Sequence, residues 1–147
     1  MSFRFALSVL PILFATACHS TPKPPCPDTQ AIVVAVAKEH PEVSRLSVHT
    51  TPPGGKGPVA VASTAAEKLG TPSDVEDVNA MAKGTTVVLE TAGEVDVTVP
   101  ICMKDNKYTA AAGVTFKTKK GADKKQLEEL ATAIAKVVEQ RMSELKK

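Results

Sequence analysis

The side chains able to do chemistry here are few. They are three cysteines (Cys18, Cys26 and Cys102), three histidines, and a lysine inside the glycine-rich stretch "GGKG" at 54–57. A phosphate-binding loop needs wider glycine spacing and a Ser or Thr directly after its lysine, to place a hydroxyl on the nucleotide's metal. Lys56 is followed by Gly57 and Pro58, so this stretch reads as a loop between strands. His40 and His49 stand on either side of Pro41, at no metal-ligand spacing from each other or from a cysteine. They read as a helix-end histidine and a strand-surface histidine. No serine or cysteine sits in a recognisable nucleophile setting, and no motif pairs carboxylates for acid–base work. These residues lead to the expectation of no enzyme, no metal and no cofactor.

The chain that must position them has 147 residues, room for one domain. Its aromatic content is only 3%, with no tryptophan, so the large rings that stack on bases or anchor interfaces are missing. The net charge of +2 is spread over interleaved lysines and acids. That pattern lacks the basic footprint of a nucleic-acid binder, and the class is set aside.

The first seventeen residues read as an address. Phe5 to Ala17 carries no charge and follows Arg4 and the terminal amine. At about 1.5 Å per helical residue this run reaches roughly 20 Å, short of the ~30 Å a membrane span must cross. A short apolar run ending in small residues is the pattern of a signal peptide, here 1–17. The stretch "ATAC" (Ala15 to Cys18) resembles a bacterial lipobox, although Ala15 stands where that motif usually has Leu. The resemblance implies that Cys18 becomes the first mature residue and carries acyl chains. Ordinary signal cleavage nearby is the alternative. Residues 18–27 hold four prolines and read as an extended tether. The resemblance places the domain in the bacterial cell envelope, lipid-anchored and facing the periplasm or exterior, and leaves inner and outer membrane open. In that oxidising setting Cys26 and Cys102 either form a disulfide or remain a tether thiol and a small buried hydrophobe.

Residues 28–147 are expected to form one α+β domain. Asp28 to His40 carries apolar residues at helical spacing and ends at Pro41. Val43 to Thr50 alternates, with Val43, Arg45, Ser47 and His49 on one face and Leu46 and Val48 on the other. Val59 to Ser63 is the returning strand. One helical turn closed by Gly70 follows, then a short helix opened by a Ser73–Glu76 capping box and stopped by Gly84. Three strands are expected at 85–90, 94–103 and 108–117, the last two joined by a turn at Asp105-Asn106. Asp123 and Gln126 open the final helix, whose stripe is Leu127, Leu130, Ile134, Val137, Val138, Arg141 and Leu145. This order predicts an antiparallel sheet with N-terminal and C-terminal helices.

That order, together with "KLGTPSDVEDVNAMAKG", "VTVPI" and "YTAAAGVTF", resembles the extracytoplasmic PAS-like sensor domains of the Cache type over residues 32–116. The resemblance implies a small-molecule-binding or accessory sensory domain that works with a membrane signalling partner. The competing reading is a structural or interaction lipoprotein with no ligand. Carboxylate-binding members of that family carry basic residues on the strands lining their pocket. The corresponding strand here offers Glu94 and Asp96, and the nearest basic residues are Arg45 and Lys68.

Overall fold

The computed structural model describes residues 25–91, 93–104, 107–118 and 122–145. The expected signal peptide, the lipobox and the Asp105-Asn106 turn lie outside them.

Helix α1 (Pro27–Glu39) begins with proline in its first turn, where the missing N–H would have no helical partner anyway. Strands β1 (Val43–Thr50) and β2 (Val59–Ser63) follow as a hairpin. A 3₁₀ turn at Ala66–Lys68 then leads to α2 (Val75–Lys83). Strands β3 (Val87–Thr91), β4 (Glu94–Lys104) and β5 (Lys107–Lys117) come next, and α3 (Lys124–Glu144) closes the domain. The five strands form one antiparallel sheet in the order β2-β1-β5-β4-β3. The α+β class and the antiparallel sheet follow the pattern read from sequence.

Register decides what each face of the sheet carries. Leu46 pairs with Val114 and Val114 with Val97; Val48 pairs with Ala112 and Ala112 with Val99. Neighbouring Cβ atoms on paired strands share a face, so these apolar rows form one surface. Helices α1 and α3 pack on it, contributing Val33, Val36, Ile134 and Val138, all fully buried. The alternate residues of the same strands form the opposite face, which α2 crosses.

Two contacts pin α1. The Gln30 side-chain amide donates to the Ser63 carbonyl at 2.8 Å and accepts the Ser63 N–H at 2.8 Å, so one residue satisfies both backbone groups of an edge strand. Arg141 of α3 meets both carboxylate oxygens of Glu39 at 2.9 Å.

Two local expectations shift. The N-cap of α2 is Asp74, with Asp77 as its capping-box partner accepting the Asp74 N–H at 3.1 Å. The overlapping pair Ser73 and Glu76 also fits the pattern, but the Ser73 hydroxyl is engaged with His49 instead. Gly84 ends α2 as expected, at a φ of 65° that favours glycine. In α3 the buried stripe centres on Ala131, Ile134, Ala135, Val138 and Met142, while Leu145 is 54% exposed. Small alanines let the helix approach the sheet closely, which moves the buried face off the outermost leucine.

Truncating Ile134 to Ala should cost about 2–5 kcal/mol by urea unfolding, because it removes fully buried methyl groups and leaves a cavity. Leu145→Ala should stay within about 0.5 kcal/mol. Equal losses for the two variants would show that α3 packs in another rotation.

Candidate functional site

Three rows of side chains cross the face of the sheet away from α1 and α3. They run Arg45–Thr115–Asp96, Ser47–Gly113–Thr98 and His49–Ala111–Pro100 over β1, β5 and β4. Alternation along β1 supplies Arg45, Ser47 and His49 from one strand, the face predicted from its sequence. The 3₁₀ turn and α2 lie along this surface and leave between them a cavity of about 350 Å³. Its lining includes Arg45, His49, Lys68, Asp74, Asp77 and Asp96. Gly113 forms a gap in the middle row. A Cβ built there meets nothing nearer than His49 Nε2, at 4.0 Å.

The centre of the site is a histidine–carboxylate pair. His49 Nδ1 lies 3.1 Å from Asp77 Oδ2 and 3.0 Å from Ser73 Oγ. The two side chains are 13% and 8% exposed, so both belong to the interior. Asp77 is held in turn by the Asp74 N–H at 3.1 Å and by Thr98, whose hydroxyl donates at 3.4 Å. The hydrogen bond with the Ser73 hydroxyl fixes the ring orientation, and the Asp77 carboxylate lies against the same nitrogen as its charge neighbour. Among the described residues Nε2 has no hydrogen-bond partner.

Burial sets the electrostatics. Desolvation pushes the His49 imidazole below its ordinary value, against the Asp77, Asp74 and Asp96 carboxylates that pull it back up, while Lys68 adds to the depression. Desolvation likewise raises the Asp77 carboxyl, and His49 opposes that rise. Asp96 sits on the other flank, accepting from the Thr115 hydroxyl at 2.7 Å with Arg45 3.9 Å away. A neutral imidazole held by Ser73 beside a carboxylate, at the wall of a cavity, can exchange a hydrogen bond or a proton with a bound molecule.

The residues singled out by sequence fare unevenly. His49 is not a strand-surface histidine, because α2 covers it and Asp77 partners it. His40 behaves as a helix-end histidine, with Nδ1 3.0 Å from Glu42 at the surface. Arg45, Lys68 and Asp96 do meet at one cavity, whereas Glu94 pairs with Thr91 and Lys117 at the start of β4, away from its lining. Lys56 is exposed in the β1–β2 loop, beside Gly54 at a φ of 75°. Cys18 lies outside the described residues. Cys26 and Cys102 are free, partly buried thiols. Cys26 lies by Thr29 and Met142, and Cys102 lies by Ala135 and Glu139. Sequence reading passed over Asp77, Ser73 and Gly113. In the sequence Ser73 reads as a helix cap, and Gly113 only as part of the strand "YTAAAGVTF".

No family model and no curated protein matches this chain. Solved structures do. The GAF domain of an Acinetobacter phosphoenolpyruvate-protein phosphotransferase is similar with a TM-score of 0.55 at 15% identity, over 79% of this chain and 80% of that one. A free methionine-R-sulfoxide reductase of Staphylococcus aureus, solved with substrate, gives 0.55 at 14% identity over 78% and 81%. Its counterpart from Neisseria meningitidis, also with substrate, gives 0.53 at 15% over 81% of each chain. At these identities the likeness is one of fold, and the fold is GAF-like.

Three expectations are thereby corrected. The domain is GAF-like and not of the Cache type; helix and strand order alone does not separate these PAS-related sheets. The Cache-like sensory function read from that resemblance falls with it, and the competing reading of a structural lipoprotein with no ligand is met by an open, polar-lined cavity. The expectation of no enzyme is also corrected: free methionine-R-sulfoxide reductases share this fold, and a buried His49 stands 3.1 Å from Asp77, a juxtaposition that no linear motif revealed.

The pair has a signed pH signature. His49 lends stability that is present above the ordinary imidazole value of about 6.5 and lost as pH falls through its lower folded value. Asp77 has the opposite sign: its contribution is present below the ordinary carboxyl range and lost as pH rises through its raised folded value. In Asp77→Asn the His49 imidazole loses its strongest carboxylate neighbour while remaining desolvated. Its NMR titration midpoint should move further down than in the parent. An upward move would show that burial does not dominate.

Proposed function

We propose that this chain is a GAF-like ligand-binding domain whose polar-lined cavity takes a free metabolite of amino-acid size. The cavity itself carries the reading. Its volume of about 350 Å³ falls in the range of small-molecule sites, roughly 300–1,000 Å³, and its floor is a fixed array of donors and acceptors. Two neighbours of the same fold were solved with small substrates, which supports the reading by analogy of fold.

The sulfoxide-reductase chemistry named for those neighbours has a requirement that the described lining of this cavity does not meet. Reducing a sulfoxide takes two electrons, and the donor available to an unassisted protein is a thiol. Among the described residues the lining contains no cysteine; Cys26 and Cys102 lie against other crevices. The chemistry this site supports is proton exchange at the His49 imidazole, with Ser73 positioning the ring and Asp77 as its charge neighbour.

Gly113 provides the test. A valine there adds its Cβ at an ordinary contact distance and projects its methyl groups into the floor of the cavity. A thermal-shift and NMR screen of polar metabolites should find ligands for the parent whose affinity falls at least tenfold in Gly113→Val, with the melting temperature of the free domain little changed. Gly113→Ala should give an intermediate loss. Ligands that bind both variants like the parent would place binding elsewhere, and the absence of any ligand would overturn the reading.

A further inference from the structure

We propose that α2 is a gate on the cavity: polar contacts with His49 and Thr98 latch it to the sheet, and when they break it opens while the rest of the domain stays folded. The inference concerns the wall of the cavity and goes beyond the question of what binds there.

Three observations lead there. First, the apolar core does not anchor α2. Helices α1 and α3 send Val33, Val36, Ile134 and Val138 into the central apolar cluster, whereas no residue of Val75–Lys83 belongs to it. The buried side chains of α2 are Asp77 and Ala80, and its valines face water, Val75 at 65% exposure and Val78 at 42%. Second, the side-chain contacts that fasten this segment to the strands are polar. Ser73 Oγ and Asp77 Oδ2 lie 3.0 and 3.1 Å from His49 Nδ1, and the Thr98 hydroxyl donates to Asp77 Oδ1 at 3.4 Å. The Ser73 contact forms with either tautomer of the ring, since a hydroxyl both donates and accepts. Third, the ends of the segment suit an opening unit. The Ala60 N–H donates to the Thr71 carbonyl and the Ser73 N–H to the Pro58 carbonyl, both at 3.0 Å, so the approach is tied to β2. Gly84, at a φ of 65°, separates the helix from β3.

An element with few buried apolar contacts opens at a lower free energy than the whole fold. Asp74, Glu76 and Asp77 line the cavity from this segment, so an opened α2 removes one wall. The size and access of the cavity therefore follow the latch.

Protons act on the latch through His49. The charged groups around the ring are Asp77, Asp74 and Glu76 on α2 and its cap, Asp96 on β4, Glu67 and Lys68 on the 3₁₀ turn, and Arg45 on its own strand. From β5 it faces uncharged Ala111 and Gly113. Burial opposes charge on the ring despite the carboxylates, so the ring takes a proton more readily once α2 has opened. Acidification through the His49 titration therefore favours the open gate. Asp77 has the opposite sign and limits the opening where it takes up its own proton.

Native-state hydrogen exchange on the full chain, followed by NMR with intrinsic chemical rates divided out, tests this. The Val78 and Gly84 amides, bonded to the Asp74 and Ala80 carbonyls, should exchange about a hundredfold faster than those of Ile134 to Val138 in α3. Ser73→Ala and Thr98→Val leave the helix and its cap intact, and each should speed the α2 amides about fivefold. Ile134→Ala should speed the α3 amides and leave those of α2 unchanged. Opening of α2 should rise as pH falls through the His49 titration, and His49→Gln should abolish that rise. Equal protection of α2 and α3, or acceleration of both by Ile134→Ala, would show that α2 opens only with the whole fold and overturn the gate. Indifference of the α2 amides to Ser73→Ala and Thr98→Val, or to pH, would overturn the latch. Every outcome is read without a ligand, so the binding reading stands or falls separately.

Discussion

A buried imidazole against a buried carboxylate holds this domain's working face together. His49 comes from a central strand and Asp77 from the first turn of α2, and each is nearly removed from water. Burying either alone would leave an unpaired polar group at a cost of about 1–3 kcal/mol or more. Together, with Ser73, Thr98 and the Asp74 N–H supplying the remaining contacts, the His49 Nδ1 and the Asp77 carboxylate are satisfied. No buried side-chain nitrogen or oxygen is left without a partner among the described residues. The cavity exists because this pair fastens α2 over one part of the polar face and leaves the rest open.

The two faces of the sheet divide the labour. Helices α1 and α3 seal the apolar face with close-packed valine, alanine and isoleucine, and the near absence of aromatic rings does not weaken it, because small residues let helix and sheet approach closely. Phe116 is the large ring buried there among the described residues. The rigid side supports the working side. Arg45, Ser47 and His49 are fixed because Leu46 and Val48 between them are anchored in the core. This is the general logic of a site whose first contacts are placed by regular strands.

A GAF-like fold gives only a frame, and function must be read from the site. The frame supplies a sheet, a crossing helix and a cavity between them. What the cavity does follows from the groups on three strands and a helix start. Here those groups are carboxylates, two cations and one oriented imidazole, a set suited to holding a charged metabolite and exchanging a proton with it.

How much of this was legible in the residues can be judged from particular elements. The strand at 43–50 announced both of its faces, because side chains alternate with a period of two and Leu46 and Val48 are apolar. Gly84 marked the end of α2 and Asp123 the start of α3, since both act through local backbone chemistry. Arg45, Lys68 and Asp96 could be named together, but only through a resemblance to the wrong family of PAS-like domains. Long-range partnership was hidden. His49 looked like a surface histidine until antiparallel pairing and the crossing of α2 brought Asp77 against it. Local spacing therefore determined the elements, their faces and their caps, which depend on neighbours along the chain. Tertiary structure alone decided which polar residue would be buried, which partner would satisfy it and where a cavity would remain, because those depend on desolvation and contact between segments far apart in sequence.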